Sequence, residues 1–186
     1  MRTVSVSDIV NGGNSIIRDI KLSILSGDLN LNIVPNIGRL KRGNNFIFNK
    51  RHWKLIRKHK HNCIITGSAA LLAFGLIDRM PKDVDLILMS DESNESKILV
   101  RTLQRGKYVG DPVDLLGSHY DSGYAVDFFE YKDSIRYIEH DGYKFEHPLD
   151  ILNKKMLIMK NNLGGNSRTK DYFDVHKILQ RLNYVD

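Results

Sequence analysis

Residues 63–89 read CIITGSAALLAFGLIDRMPKDVDLILM. The apolar run Cys63 to Thr66 stops at Gly67, as a short buried strand does. Ser68 to Leu76 is rich in alanine and leucine and reads as a helix opening directly after the Gly-Ser turn. Val84 to Met89 is a second strand. Gly67-Ser68 at such a junction would present backbone N–H groups and a hydroxyl to a phosphate, helped by the positive end of the helix. A Cβ at residue 67 would obstruct the phosphate. By itself the pair is a common turn.

Asp83-Val84-Asp85 adds chemistry to this unit. Strand alternation puts both carboxylates on one face and Val84 on the other. Paired acids repel unless a cation lies between them. Mg2+ or Mn2+, hard ions that take carboxylate and phosphate oxygens, would suit them. The other reading is two solvated acids at a strand edge. Asp127 interrupts the apolar run Tyr124 to Tyr131, a third strand. It either faces water on an edge strand or, if its strand lies beside 84–89, completes a three-carboxylate metal site.

Further out, Asp141-Gly142 within Ile135 to Phe145 is a two-residue hairpin signal. Asn94 to Gln104 reads as a helix, and two more follow at about 149–161 and 170–182, parted by Gly164-Gly165-Asn166. A short helix is expected near residues 16–25. The order predicts an α/β (α+β) chain with a mixed β-sheet flanked by helices and a C-terminal helical tail. Its divisions are an N-terminal extension with a basic helix (1–61), a core (62–147) and the helical tail (148–186).

The chain has 186 residues and a formal net charge of +6, with 41% hydrophobic and 27% charged residues, a globular balance. No apolar run approaches the roughly 20 residues needed to span a bilayer, and the N-terminus lacks a secretory pattern. A single cysteine, Cys63, excludes an intramolecular disulfide and any cysteine-cluster zinc site, so a cytoplasmic location is expected. Nine Lys/Arg and no acid fall between Arg39 and His61. Phe48, Trp53 and Ile56 recur there at helical spacing, which predicts a basic amphipathic helix. Arg51, Lys54, Arg57 and Lys58 are its candidate nucleic-acid contacts; a solvated helix face is the plainer alternative.

GSAALLAFGLIDRMPKDVDLIL (67–88) resembles the signature of the polymerase-beta-type nucleotidyltransferase superfamily, in particular the AbiEii-type toxin nucleotidyltransferases. In that branch an Arg stands four positions before the first Asp, as Arg79 stands before Asp83. HPLDILNKKMLIMKNNLGGNSRTKDYFDVHKIL (147–179) is similar to the branch's closing motif, with Lys155 as its helix lysine and Lys170, Asp171 and Asp174 as the closing set. Pro81 departs from the pattern, standing where a small hydroxyl residue is usual.

The resemblance implies a two-metal nucleotidyltransferase fold and transfer of a nucleotidyl group from an NTP with release of pyrophosphate. Asp83, Asp85 and Asp127 would be the catalytic metal ligands. Gly67, Ser68, Arg79, Lys82, Lys155 and Asp174 would make the NTP site, Asp174 orienting Lys155. In several members the acceptor is a tRNA 3′ end, which implies an RNA acceptor, a toxin role and an antitoxin partner. Transfer to a small molecule or protein side chain, and non-catalytic NTP or RNA binding, are the competing readings.

Overall fold

The computed structural model describes residues 15–20, 33–42, 45–46, 50–89, 113–121, 124–131, 135–161 and 169–182. The chain divides into two compact units, Pro35–His147 and Met1–Val34 with Pro148–Asp186. Residues 35–61, expected in an N-terminal extension, therefore group with the sheet. The reason is burial: Leu40, Trp53 and Ile56 are 1%, 4% and 2% exposed and belong to a core.

In the first unit a 3-10 turn, Ile37–Leu40, leads into a small antiparallel pair, β1 (Lys41–Arg42) and β2 (Asn45–Phe46). Helix α1 (Lys50–Lys58) and strand β3 (Cys63–Thr66) follow, then α2 (Gly67–Phe74) and β4 (Asp83–Leu88). Two hairpin-like pairs complete it: β5 (Val113–Asp121) with β6 (Tyr124–Tyr131), and β7 (Tyr137–His140) with β8 (Tyr143–Glu146). The six longer strands form one mixed sheet in the order β5-β6-β4-β3-β8-β7. The β4–β6 and β3–β8 pairs are parallel and the others antiparallel.

Several elements sit where the sequence puts them. Cys63–Thr66 and Tyr124–Tyr131 are strands, and Asp141 and Gly142 have φ of 53° and 71°. Two consecutive positive φ values are what a tight hairpin turn of this hand requires, and Asp-Gly supplies them at low cost. Strand β5 was not expected. Its run is broken by Gly117, where the β5–β6 register shifts, so the period-two signal fails in mid-strand. The helix expected at Asn94 to Gln104 lies outside the described residues.

The sheet has two distinct faces. Alternation and register place Val84, Leu86, Val126, Phe128, Ile65 and Phe145 on one, all buried. Helix α2 covers this face, with Phe74 edge-on to Phe145 at 6.0 Å. Ala69 to Phe74 are all buried, so α2 is apolar all round and central to the core. Full burial of Phe128 or Phe145 contributes roughly 1.5–3 kcal/mol each. Helix α2 stops at Gly75, whose φ of 73° lets the N–H groups of Gly75 and Leu76 bond the carbonyls of Leu72 and Leu71. Arg39 seals this end by donating to the Ala73 carbonyl at 3.0 Å.

In the second unit residues 15–20 are helical, with Ile16, Ile17 and Ile20 buried. Helices α3 (Pro148–Asn161) and α4 (Thr169–Arg181) pack together. Leu149, Ile151, Leu152 and Met156 of α3 and Val175, Ile178 and Leu179 of α4 are buried. No helix among the described residues is long and apolar enough to cross a membrane.

Candidate functional site

The second face of the sheet carries the polar chemistry. Asp83 and Asp85 share this face of β4, and parallel pairing sets Asp127 of β6 directly beside Asp85. Residues in register on neighbouring strands stand about 4.8 Å apart. Three carboxylates therefore line one face, each partly exposed, while Val84, Leu86, Val126 and Phe128 between them are buried. A polar–apolar alternation in a half-covered strand produces this division.

Thr66 pairs with Asp85 across the β3–β4 ladder, so the start of α2 opens onto the same face. Thr66 is extended (φ −128°, ψ −172°) and Gly67 turns sharply with φ 60°. A Cβ at residue 67 would overlap the Asp85 carboxylate. Glycine is thus required both by the backbone angle and by a close neighbour. The Thr66 hydroxyl makes no cap bond to α2; it donates instead to the carboxylate of Glu146, which is 1% exposed. Arg79 Nη2 donates to Ser68 Oγ at 2.7 Å, which joins two of the expected NTP contacts. Lys82 is exposed.

Asp127 is fixed from β5. Ser118, fully buried, stands opposite it in the ladder and donates from Oγ to Asp127 Oδ1 at 2.5 Å. Ser118 and Glu146 were missed in the sequence reading. Ser118 sits past a break in an unrecognised strand, and Glu146 closes a hairpin strand with no motif around it. Asp141-Gly142, which sets that hairpin's register, was the available signal for Glu146.

Among the described residues, no group of three or more His, Cys, Asp and Glu side chains converges as a metal cluster. Asp85 leans on Gly67 and Asp127 on Ser118. The donor set still fits a hard divalent ion, being three carboxylates on one face with two in register on adjacent strands.

The basic helix occupies the opposite side. Trp53 of α1 meets Tyr143 with ring centroids 5.8 Å apart. Tyr143 lies on the Phe145 face of β8, and Glu146 on the other. Glu146 shares its face with Thr66, and through the ladder with Asp85 and Asp127. Helix α1 therefore lies on the α2 side of the sheet, behind the acid face. Lys54, Arg57 and Lys58 are exposed on it, and Arg51 belongs to the same helix.

Lys155 and Asp174 stand in the helical unit. Lys155 Nζ lies 2.7 Å from Asp171 Oδ1 and 2.9 Å from Asp174 Oδ2, and the three residues are 7%, 4% and 2% exposed. Asp174 accordingly holds Lys155, and Asp171, the other aspartate of the closing set, is a second holder. Lys154, its neighbour, is only half-buried. Burial of this group is tolerable because each charge has an opposite partner.

Cys63 belongs to the core. Desolvation by burial raises its thiol pKa to about 12, although Lys144 pulls the other way. A thiol so protonated is a poor nucleophile at neutral pH.

No family model matches this chain, and neither do any curated protein or solved structure.

Proposed function

We propose that this protein is a metal-dependent nucleotidyltransferase of the polymerase-beta-type fold, moving a nucleotidyl group from an NTP to an acceptor hydroxyl. The observation that carries the reading is the pairing of Asp85 with Asp127 on adjacent parallel strands, with Asp83 on the same face. The opening of α2 at Gly67 lies against that group.

In this reading the acceptor oxygen bonds to the α-phosphorus as the bond to the bridging oxygen breaks, and pyrophosphate leaves. The hydroxyl proton passes to a carboxylate of the acid face. Asp83, Asp85 and Asp127 would hold Mg2+ or Mn2+, which supplies charge stabilisation at phosphate and activation of the hydroxyl. Ser68 and the first N–H groups of α2 hold phosphate oxygens, and Arg79 fixes the Ser68 hydroxyl while adding positive charge. Lys82 is a further cation for the triphosphate. The resemblance would give Lys155 a triphosphate role; within the helical unit it is held by Asp171 and Asp174.

RNA is the acceptor the resemblance gives, and α1 would add a positive surface for it only on the side of the sheet away from the acids. The position of α1 behind the sheet favours a second reading, in which a small molecule or protein side chain reaches the acids without touching that helix. A toxin role and an antitoxin partner follow from the resemblance alone.

Incubation with each labelled NTP, Mg2+, total RNA and total protein tests the reading. Label is expected in RNA. Label confined to protein selects the second reading, and no label with any acceptor, small molecules included, leaves a binding domain.

A further inference from the structure

We infer that the outer stripe of α1 is an anchoring surface for a nucleic-acid backbone, set behind the sheet and away from the carboxylates. Lys50, Lys54, Arg57 and Lys58 are exposed and follow one another at spacings of four, three and one, which is one face of a helix. None of them is ion-paired with another described residue.

Part of this charge works against the helix that carries it, although Arg57 and Lys58 stand in the last turn, where the dipole favours cations. Like charges at four-residue spacing weaken a helix. Lys50 and Arg51 stand in a first turn that holds no acid, where the helix dipole disfavours cations. A polyanion relieves both penalties. Other cations of the basic block have structural work: Arg39 seals α2, and Lys60 Nζ lies 5.7 Å from the Tyr143 ring centre. Of the stripe, Arg57 acts electrostatically on Tyr143, while Lys50, Lys54 and Lys58 have no comparable partner among the described residues.

The chemistry separates nucleic acid from a lipid surface. Helices that lie on bilayers bury an apolar face in the lipid. Of the large apolar residues of α1, Trp53 and Ile56 are already 4% and 2% exposed within the protein, and Leu55 is half-buried. What remains outward is charge, which suits a phosphate chain.

Position adds a consequence that rests on the proposed transfer reaction. A helix about 10 Å across and the sheet itself separate the stripe from the acid face. A mononucleotide cannot span this, so only an acceptor long enough to pass round the sheet gains from α1. Binding itself requires no catalysis.

The test measures binding of a single-stranded RNA of about 20 nucleotides over a salt series, without NTP and in EDTA. Failure of the transferase reading leaves this readout untouched. The triple variant Lys54→Gln, Arg57→Gln, Lys58→Gln should bind at least about tenfold more weakly and lower the log–log salt slope by about 2–3, at 0.7–0.9 per lost contact. The charge-keeping variant Lys54→Arg, Arg57→Lys, Lys58→Arg should retain both, and unchanged circular dichroism would show that the fold is intact. An unchanged slope in the triple variant overturns the inference. So does tighter binding to phosphatidylserine vesicles, or equal competition per charge by polyglutamate, which would mark a lipid or an acidic protein as the partner.

Discussion

The carboxylate of Asp85 rests on the Cα of Gly67, so closely that a Cβ at residue 67 would overlap its oxygen. The turn that opens α2 and the central acid of the sheet face are therefore one steric unit. Gly67→Ala forces a side chain into positive φ and into that carboxylate. Stability should fall by about 1–2 kcal/mol from the backbone cost alone. Transfer should fall further than stability explains, because Asp85 must turn away. Denaturant unfolding and turnover of labelled NTP measure the two, and full turnover in a destabilised variant would separate Asp85 from the reaction.

Asp83→Asn and Asp85→Asn should each abolish detectable transfer while the fold survives, since both side chains are partly exposed and asparagine keeps their shape. Loss of a metal ligand removes several kcal/mol of barrier lowering, roughly a thousandfold or more in rate. Unfolding curves alongside single-turnover assays check this. Retained turnover in either variant would remove the metal assignment.

Ser118→Ala frees Asp127 Oδ1 from its one described partner. Removing a hydrogen bond to a charged acceptor costs roughly 1.5–3 kcal/mol where it is buried, and Asp127 is only half-covered, so about 1 kcal/mol is expected. A fall in kcat with little change in KM for NTP would place Asp127 in the chemical step. Unchanged kcat would make the Ser118–Asp127 pair purely structural.

Lys155→Ala leaves Asp171 and Asp174 buried without their cation. Breaking such a group typically costs about 3–5 kcal/mol, whereas Lys154→Ala should cost under about 1 kcal/mol. NTP affinity should fall in the first variant and hold in the second. If Lys155→Met folds stably and binds NTP normally, the triad only staples α3 to α4.

Cys63 links stability to alkaline pH. The folded chain keeps the thiol proton up to about pH 12, while the unfolded thiol loses it near 9.0. Below 9 the contribution is complete; above it, the unfolded state binds fewer protons and stability falls as pH rises toward 12. The Cys63→Ala variant should lack this part of the slope when denaturation midpoints are compared from pH 8 to 10.5. Native Cys63 should also resist alkylation at pH 8 and react once unfolded.

Local signals in the sequence determined the strands at 63–66 and 124–131, the Asp141-Gly142 turn and the common face of Asp83 and Asp85. Each rests on nearest-neighbour physics: a period of two, a positive φ that Asp-Gly tolerates, an apolar run stopped by glycine. Tertiary structure alone decided that Asp127 stands beside Asp85. That needs β6 to pair in parallel with β4 although β5, whose pattern Gly117 interrupts, lies between them in the chain. It also decided that Glu146 reaches Thr66, 80 residues away in the chain, and that Asp171 joins Asp174 on Lys155. The side of the sheet taken by α1 was illegible for the same reason. An amphipathic pattern fixes which face of a helix is buried, but a sheet has two faces, and only the packing of Trp53 on Tyr143 selects one.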